Sequence, residues 1–128
     1  MDLELCSDLL GKPYQENGLG NPGWDCFTLA QAIYYRHGLS LPDLDYSFGT
    51  HEQNAAVESQ RKYYQRLKSP EPFAIITIKY HPKYITHIGV CVDHCRMLHA
   101  VDTKGVVLER FDTPWYKNKI EGYYKWIS

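Results

Sequence analysis

The chain has 128 residues, enough for one domain with a real core and too few for two. Its formal net charge is −1, and no run of like charge exceeds Arg61-Lys62. That excludes the basic footprint of a nucleic-acid binder and the polybasic face of a protein docked on anionic lipid. The start, Met1-Asp2-Leu3-Glu4, has neither the basic nor the apolar region of a secretory leader, and no apolar run approaches a membrane span. The four cysteines, Cys6, Cys26, Cys91 and Cys95, therefore do not read as a disulfide framework.

Residues 2–10 carry Leu3, Cys6 and Leu10 at helical spacing with Gly11 behind them, which predicts a short helix with Cys6 on its buried stripe. Residues 12–23 hold Pro13, Gly18, Gly20 and Asn21-Pro22-Gly23, which is loop chemistry. Asp25 then reads as an N-cap. Phe27, Ala30, Ile33 and Tyr34 follow on one helical face, and His37-Gly38 closes the helix. Residues 39–42 form a short extended exit and residues 43–50 a loop. Residues 52–67 are predicted as a polar helix with Ala56, Tyr63 and Leu67 inward, stopped at Ser69-Pro70.

The second half changes character. Residues 73–78, 86–92, 97–101, 106–111 and 122–127 are β-rich runs separated by turn residues. Helices first and a strand meander afterwards predict an α+β fold, with N-terminal helices packed on an antiparallel sheet of about five strands, in a single domain over residues 1–128.

The chemistry centres on Cys26. A cysteine at a helix start faces unpaired backbone N–H groups and the positive end of the helix dipole, both of which favour the nucleophilic thiolate. A histidine beside it completes a Cys-His pair able to attack amides or esters. Of six histidines, His37 suits a helix C-terminus, and His51, His81 and His94 fall in loop or turn sequence. His87 and His99 lie in β-type segments, where a polar ring needs a partner or a cleft. A two-residue loop at His94-Cys95 sends the two rings to opposite faces. A three-residue loop or a bulge returns them to one face, placed diagonally. Cys91-x-x-x-Cys95 matches no standard zinc spacing, so no metal and no cofactor are expected.

Three blocks then carry a resemblance. The first is Leu10-Gly11-Lys12-Pro13-Tyr14, a glycine-rich loop and Gly23-Trp24-Asp25-Cys26. The second is His87-Ile88-Gly89-Val90-Cys91-Val92, a turn and Met97-Leu98-His99-Ala100. The third is Gly105-Val106-Val107-Leu108 with Trp115-Tyr116. In order, spacing and residue type the chain resembles the NlpC-type cysteine peptidases of bacterial cell-wall metabolism, over residues 10–126, nearly its whole length. The resemblance implies a papain-like fold and the cleavage of peptidoglycan stem peptides, at the bond between D-glutamate and the diamino acid.

It implies Cys26 as nucleophile, His87 as general base and His99 as the polar residue that orients the base. Tyr14 matches a tyrosine near the oxyanion site, against its plain reading as one more packed tyrosine among eleven. Asp25 matches a contact to the free amino end of a stem peptide, and also reads simply as the helix cap. Trp24, Trp115 and Trp126 read as packing residues, with Trp24 placed to wall the cleft. The family's usual Asp-Cys-Ser-Gly is replaced here by Cys26-Phe27-Thr28, so Phe27 sets an aromatic ring beside the substrate site. That variant resembles phage-tail members and small injected amidase toxins. The expectations are synthesis in the bacterial cytoplasm, action on the wall after tail-borne or contact-dependent delivery or after lysis, and a phage-tail or immunity-protein partner. Two alternatives are the same chemistry on a protein substrate, as a deamidase, acyltransferase or protease toxin, and a mainly structural tail component.

Overall fold

The computed structural model of the protein describes residues 1–42 and 64–126. Leu3–Leu9 form the short helix expected there, wound as a 3-10 helix, with the Asp2 carboxylate accepting the Glu4 N–H at 3.0 Å. Cys6 and Leu9 are its buried residues, in keeping with the apolar stripe. Helix α1 is Cys26–Arg36 and His37 is its C-cap. The strands are β1 (Tyr64–Leu67), β2 (Ile75–Ile78), β3 (His87–Cys91), β4 (Arg96–Val101), β5 (Gly105–Arg110) and β6 (Ile120–Trp126). A single helical turn, α2 (Pro114–Lys117), precedes β6.

Among the described residues the sheet has six strands in the order β1-β6-β2-β3-β4-β5, each neighbouring pair antiparallel. The predicted count of about five falls short by β1, which the sequence pattern assigned to the end of the 52–67 helix. The rest of that helix, with the 43–50 loop and His51, lies outside the described residues. Residues 64–67 are extended because β6 supplies their hydrogen-bond partners, from Tyr64 opposite Trp126 to Leu67 opposite Tyr123. Long-range pairing overrides a weak local helical preference. The predicted strand at residue 73 starts later, at Ile75, because Phe73 sits at φ 71°.

The sheet is covered on both faces. On one, Leu29, Ala30 and Ile33 of α1 meet Ile75, Ile88, Val90, Leu98, Ala100 and Val106. On the other, Ile76, Ile78, Cys91 and Met97 meet Phe111 and Tyr116. Strand alternation therefore turns His87, Gly89 and Cys91 of β3, and Met97 and His99 of β4, to the face away from α1.

The hairpin β3–β4 decides how the two histidines meet. Val92 N–H bonds the Arg96 carbonyl at 2.8 Å, so the loop is the three residues 93–95. Asp93 builds it: its Oδ1 accepts the N–H of Cys95 at 3.0 Å and of Arg96 at 2.9 Å. Val90 then faces Leu98, and the same register sets Gly89 opposite His99 and His87 one step diagonal to it. A Cβ on Gly89 would lie 2.9 Å from Met97 Sδ and 3.3 Å from His99 Cβ, so a side chain there would push on the Met97 thioether and crowd His99.

The N-terminal loop is tied to the far edge of the sheet. Gly11 N–H bonds the Val106 carbonyl at 3.0 Å and Val106 N–H returns to the Lys12 carbonyl at 2.9 Å. Gly105 makes this possible with φ 78°, and a Cβ there would lie 2.2 Å from the Lys12 oxygen. This clamp carries Tyr14 toward the strand ends that bear the histidines.

Candidate active site

Helix α1 opens with a complete capping box. Asp25 Oδ1 accepts Phe27 N–H at 2.9 Å and Thr28 N–H at 2.8 Å, and Thr28 Oγ1 accepts Asp25 N–H at 3.0 Å. Asp25 Oδ2 accepts Asn17 N–H at 2.7 Å, which pins the glycine-rich loop against the helix start. The two carboxylate oxygens thus divide their work between cap and loop.

Cys26 is the first residue of α1 and is 5% exposed. The neighbouring backbone amides of Ile88, Cys26 and Phe27 each act on its sulfur in the direction of thiolate. Burial is the larger effect and pushes the thiol up to about 12. The expectation of a resting thiolate is therefore corrected: the helix-start donors are present, but removal from water outweighs them. Ile88, which follows His87 on β3, packs in one core cluster with Cys26. No hydrogen bond between that sulfur and the His87 ring is formed among the described residues.

His87 Nε2 and His99 Nδ1 lie 2.8 Å apart, so the three-residue turn brings the two rings into direct contact. His99 is fully buried and its other nitrogen, Nε2, lies 2.9 Å from Glu109 Oε1. The same Glu109 oxygen accepts the Tyr116 hydroxyl at 2.6 Å. Burial, and then the neighbouring His99, push His87 down to about 3. Burial also lowers His99, partly opposed by Glu109, with Lys104 adding to the depression. Both rings are neutral at physiological pH.

His87 opens onto a cleft of about 620 Å³ whose walls include Tyr14, Tyr80, Asp102, Glu109 and Tyr116. Tyr14 pairs with Trp24 in an isolated bridge, and its phenol is pushed up to about 12 by burial and then by Cys26 and Asp25 nearby. Tyr14 and His87 thus share this cleft, whereas Cys26 is buried in the core under α1 and is not among its walls. Trp24 and Phe27 do not line this cleft. Trp24 packs by Gly20 and borders a separate groove with Leu19, Thr28 and Tyr35, and Phe27 belongs to the core beneath α1. Trp115 stands at the cleft rim, 64% exposed, and Trp126 packs on Tyr64. Cys91 is buried on the second face, and Cys95 is held in the Asp93 turn. Among the described residues no three His, Cys, Asp or Glu side chains are placed to hold a metal ion. No helix among them is long and apolar enough to cross a membrane.

Sequence reasoning missed Glu109, Tyr116, Tyr80 and Asp102 as cleft residues. A signal for Glu109 was available. In the predicted strand 106–111 it alternates with Val106 and Leu108, which sends its carboxylate toward the second apolar face, where it needs a partner. The β4–β5 register places it opposite Met97 and diagonal to His99.

A few helical segments on an antiparallel sheet, with a thiol at a helix start beside a histidine strand, define a papain-like α+β fold. The chain belongs to the NlpC/P60 family, whose sequence pattern it matches over residues 11–124. Among solved structures it is similar to an NLP/P60-family protein described as similar to lipoprotein, from Staphylococcus aureus, with 20% identity and a TM-score of 0.72 over 98% of this chain and 40% of that one. An NlpC/P60 protein of Bacillus cereus shares 19% identity, with a TM-score of 0.62 over 95% of this chain and 38% of its own. NlpC2 of Trichomonas vaginalis shares 22%, with a TM-score of 0.66 over 95% and 45%. This chain thus spans less than half the length of each of these structures. No curated protein matches it significantly.

Proposed function

We propose that the chain is a cysteine-dependent amidase or endopeptidase of cell-wall peptides, cutting stem peptides at the D-glutamyl–diamino acid bond. Family membership supports the cell-wall peptidase or amidase class. The observation that carries the chemistry is Cys26 at the start of α1, in one core cluster with Ile88, the strand neighbour of a His87 ring bonded to His99.

In this reading the resting pair is thiol and neutral imidazole. His87 takes the thiol proton as sulfur attacks the carbonyl carbon, and the bond to the leaving amine then breaks as His87 returns the proton to it. In this reading the Cys26 N–H and the Tyr14 hydroxyl donate to the oxyanion. Water, deprotonated by His87, hydrolyses the thioester. Delivery by a phage tail or by contact with a rival cell rests on the resemblance of Cys26-Phe27-Thr28 to tail-associated and toxin members.

A second reading keeps the thiol chemistry and moves it to a protein substrate. It rests on Asp25, whose two oxygens are already engaged by Phe27, Thr28 and Asn17 rather than turned to a substrate amine. Digestion of diamino-acid-type muropeptides by wild type and Cys26→Ala, read by mass spectrometry, tests the proposal. Cleavage after D-glutamate by wild type alone supports it. Equal cleavage by both would refute the role of Cys26, and cleavage by neither would move the search to protein substrates.

A further inference from the structure

We propose that Glu109 is a positioning residue which, through His99, holds His87 in the one tautomer that leaves Nδ1 free as the base. The inference rests on the reading of His87 as the base, but its structural half stands apart from any substrate.

Each step follows from hydrogen-bond valence. Burial works to raise the Glu109 carboxyl, but the Tyr116 hydroxyl, the His99 ring and Lys104 bring it below its usual value, so it is ionised and can only accept. The 2.9 Å contact therefore requires a proton on His99 Nε2. His99 is fully buried and neutral, so it has no second proton, and its Nδ1 is a bare acceptor. The 2.8 Å contact then requires the proton of His87 on Nε2, leaving the lone pair on Nδ1. Remove the carboxylate and the chain can run backwards. His99 then donates from Nδ1, His87 carries its proton on Nδ1, and no lone pair is left to receive the thiol proton. Tyr116 contributes by its 2.6 Å bond, which holds the carboxylate oxygen in place. When His87 becomes cationic during attack, the same chain places a negative charge behind it.

The groups facing this chain are drawn from several elements. Tyr80 lies before β3, with its ring 5.8 Å from that of His87, Lys104 is on the β4–β5 turn and Tyr116 is on α2. Apart from Glu109 none of them carries a negative charge at neutral pH; Asp102 lines the same cleft, but among the described residues its carboxylate makes no hydrogen bond to either ring.

The test is the imidazole nitrogen spectrum of ¹⁵N-histidine-labelled protein at pH 7, on the full chain, for wild type, Glu109→Gln and Glu109→Leu. Wild type is expected to show His87 and His99 both protonated at Nε2. Glu109→Leu is expected to shift His99 toward Nδ1–H and to lower kcat by about 10²-fold or more, with KM within about twofold. Glu109→Gln, of the same size and still offering an oxygen, is expected to recover part of both. If Glu109→Leu does not fold, the wild-type tautomers carry the test. A wild-type His99 protonated at Nδ1, or an unchanged His99 tautomer in folded Glu109→Leu, would overturn the proposal. Correct tautomers in a protein that cuts no muropeptide would leave Glu109 in its role and refute the substrate assignment instead.

Discussion

Acidification from pH 7 to pH 5 is expected to destabilise the fold through its buried histidines. His87 is held near 3 in the fold, against 6.5 for an ordinary histidine, and is 8% exposed. A depressed folded value means the unfolded chain binds the proton first. The stabilisation is therefore present above the unfolded value and is lost as pH falls from about 6.5 toward the folded value. Between pH 7 and pH 5 the unfolded ring takes up about three-quarters of a proton while the folded ring takes up almost none. That difference amounts to about 2 kcal/mol from His87 alone. His99, also depressed, adds in the same direction. The carboxylates of Asp8, Asp93, Glu109 and Asp112 are depressed too. Their contribution is present above their unfolded values near 4 and is lost below that, outside this window. Urea unfolding at pH 7, 6 and 5 reads the slope directly, and Tm is expected to fall by roughly 7 °C for a chain of this size. The His87→Gln variant should lose most of the slope. A stability constant from pH 7 to 5, or an equal slope in His87→Gln, would refute the reasoning.

Iodoacetamide labelling of Cys26 should be far slower at pH 7 than that of free cysteine and should rise about tenfold per pH unit up to pH 9. A plateau below pH 8, followed by mass spectrometry, would instead show a resting thiolate. Asp25→Ala should cost about 2 kcal/mol in urea unfolding, roughly half from the cap and half from the Asn17 tether. Asp25→Asn keeps the cap through its one oxygen but turns an NH2 toward the Asn17 N–H, and should cost about 1 kcal/mol; its rate of muropeptide cleavage then separates capping from substrate contact. Asp93→Ala frees the Cys95 and Arg96 N–H groups and should cost about 1 kcal/mol. It should also broaden the His87 and His99 ring resonances, because the turn that sets their register is loosened.

Much of the architecture was legible because it is local. Asp25 followed by Phe27, Ala30, Ile33 and Tyr34 specifies a capped helix by side-chain chemistry and period, and α1 starts and ends where that pattern does. The five β-rich runs each became a strand, since alternation and β-branched residues need no distant partner to be recognised. Residues 64–67 were not legible as a strand, because their extended form is supplied by β6, far along the chain.

Sequence alone determined that Cys26 opens a helix and that His87 and His99 sit on strands, since residue type, caps and period act within a few positions. Only the tertiary structure decided whether those two rings meet. A one-residue change in loop length reverses the face of every side chain that follows. The Asp93 carboxylate, by taking two backbone N–H groups, selects the three-residue turn that brings the rings together. The state of the thiol was decided in the same way. The helix start supplies the donors, but how far Cys26 is removed from water depends on how α1 packs on the sheet. Glu109 enters the site by sheet register with His99, a relation between strands that no local pattern encodes.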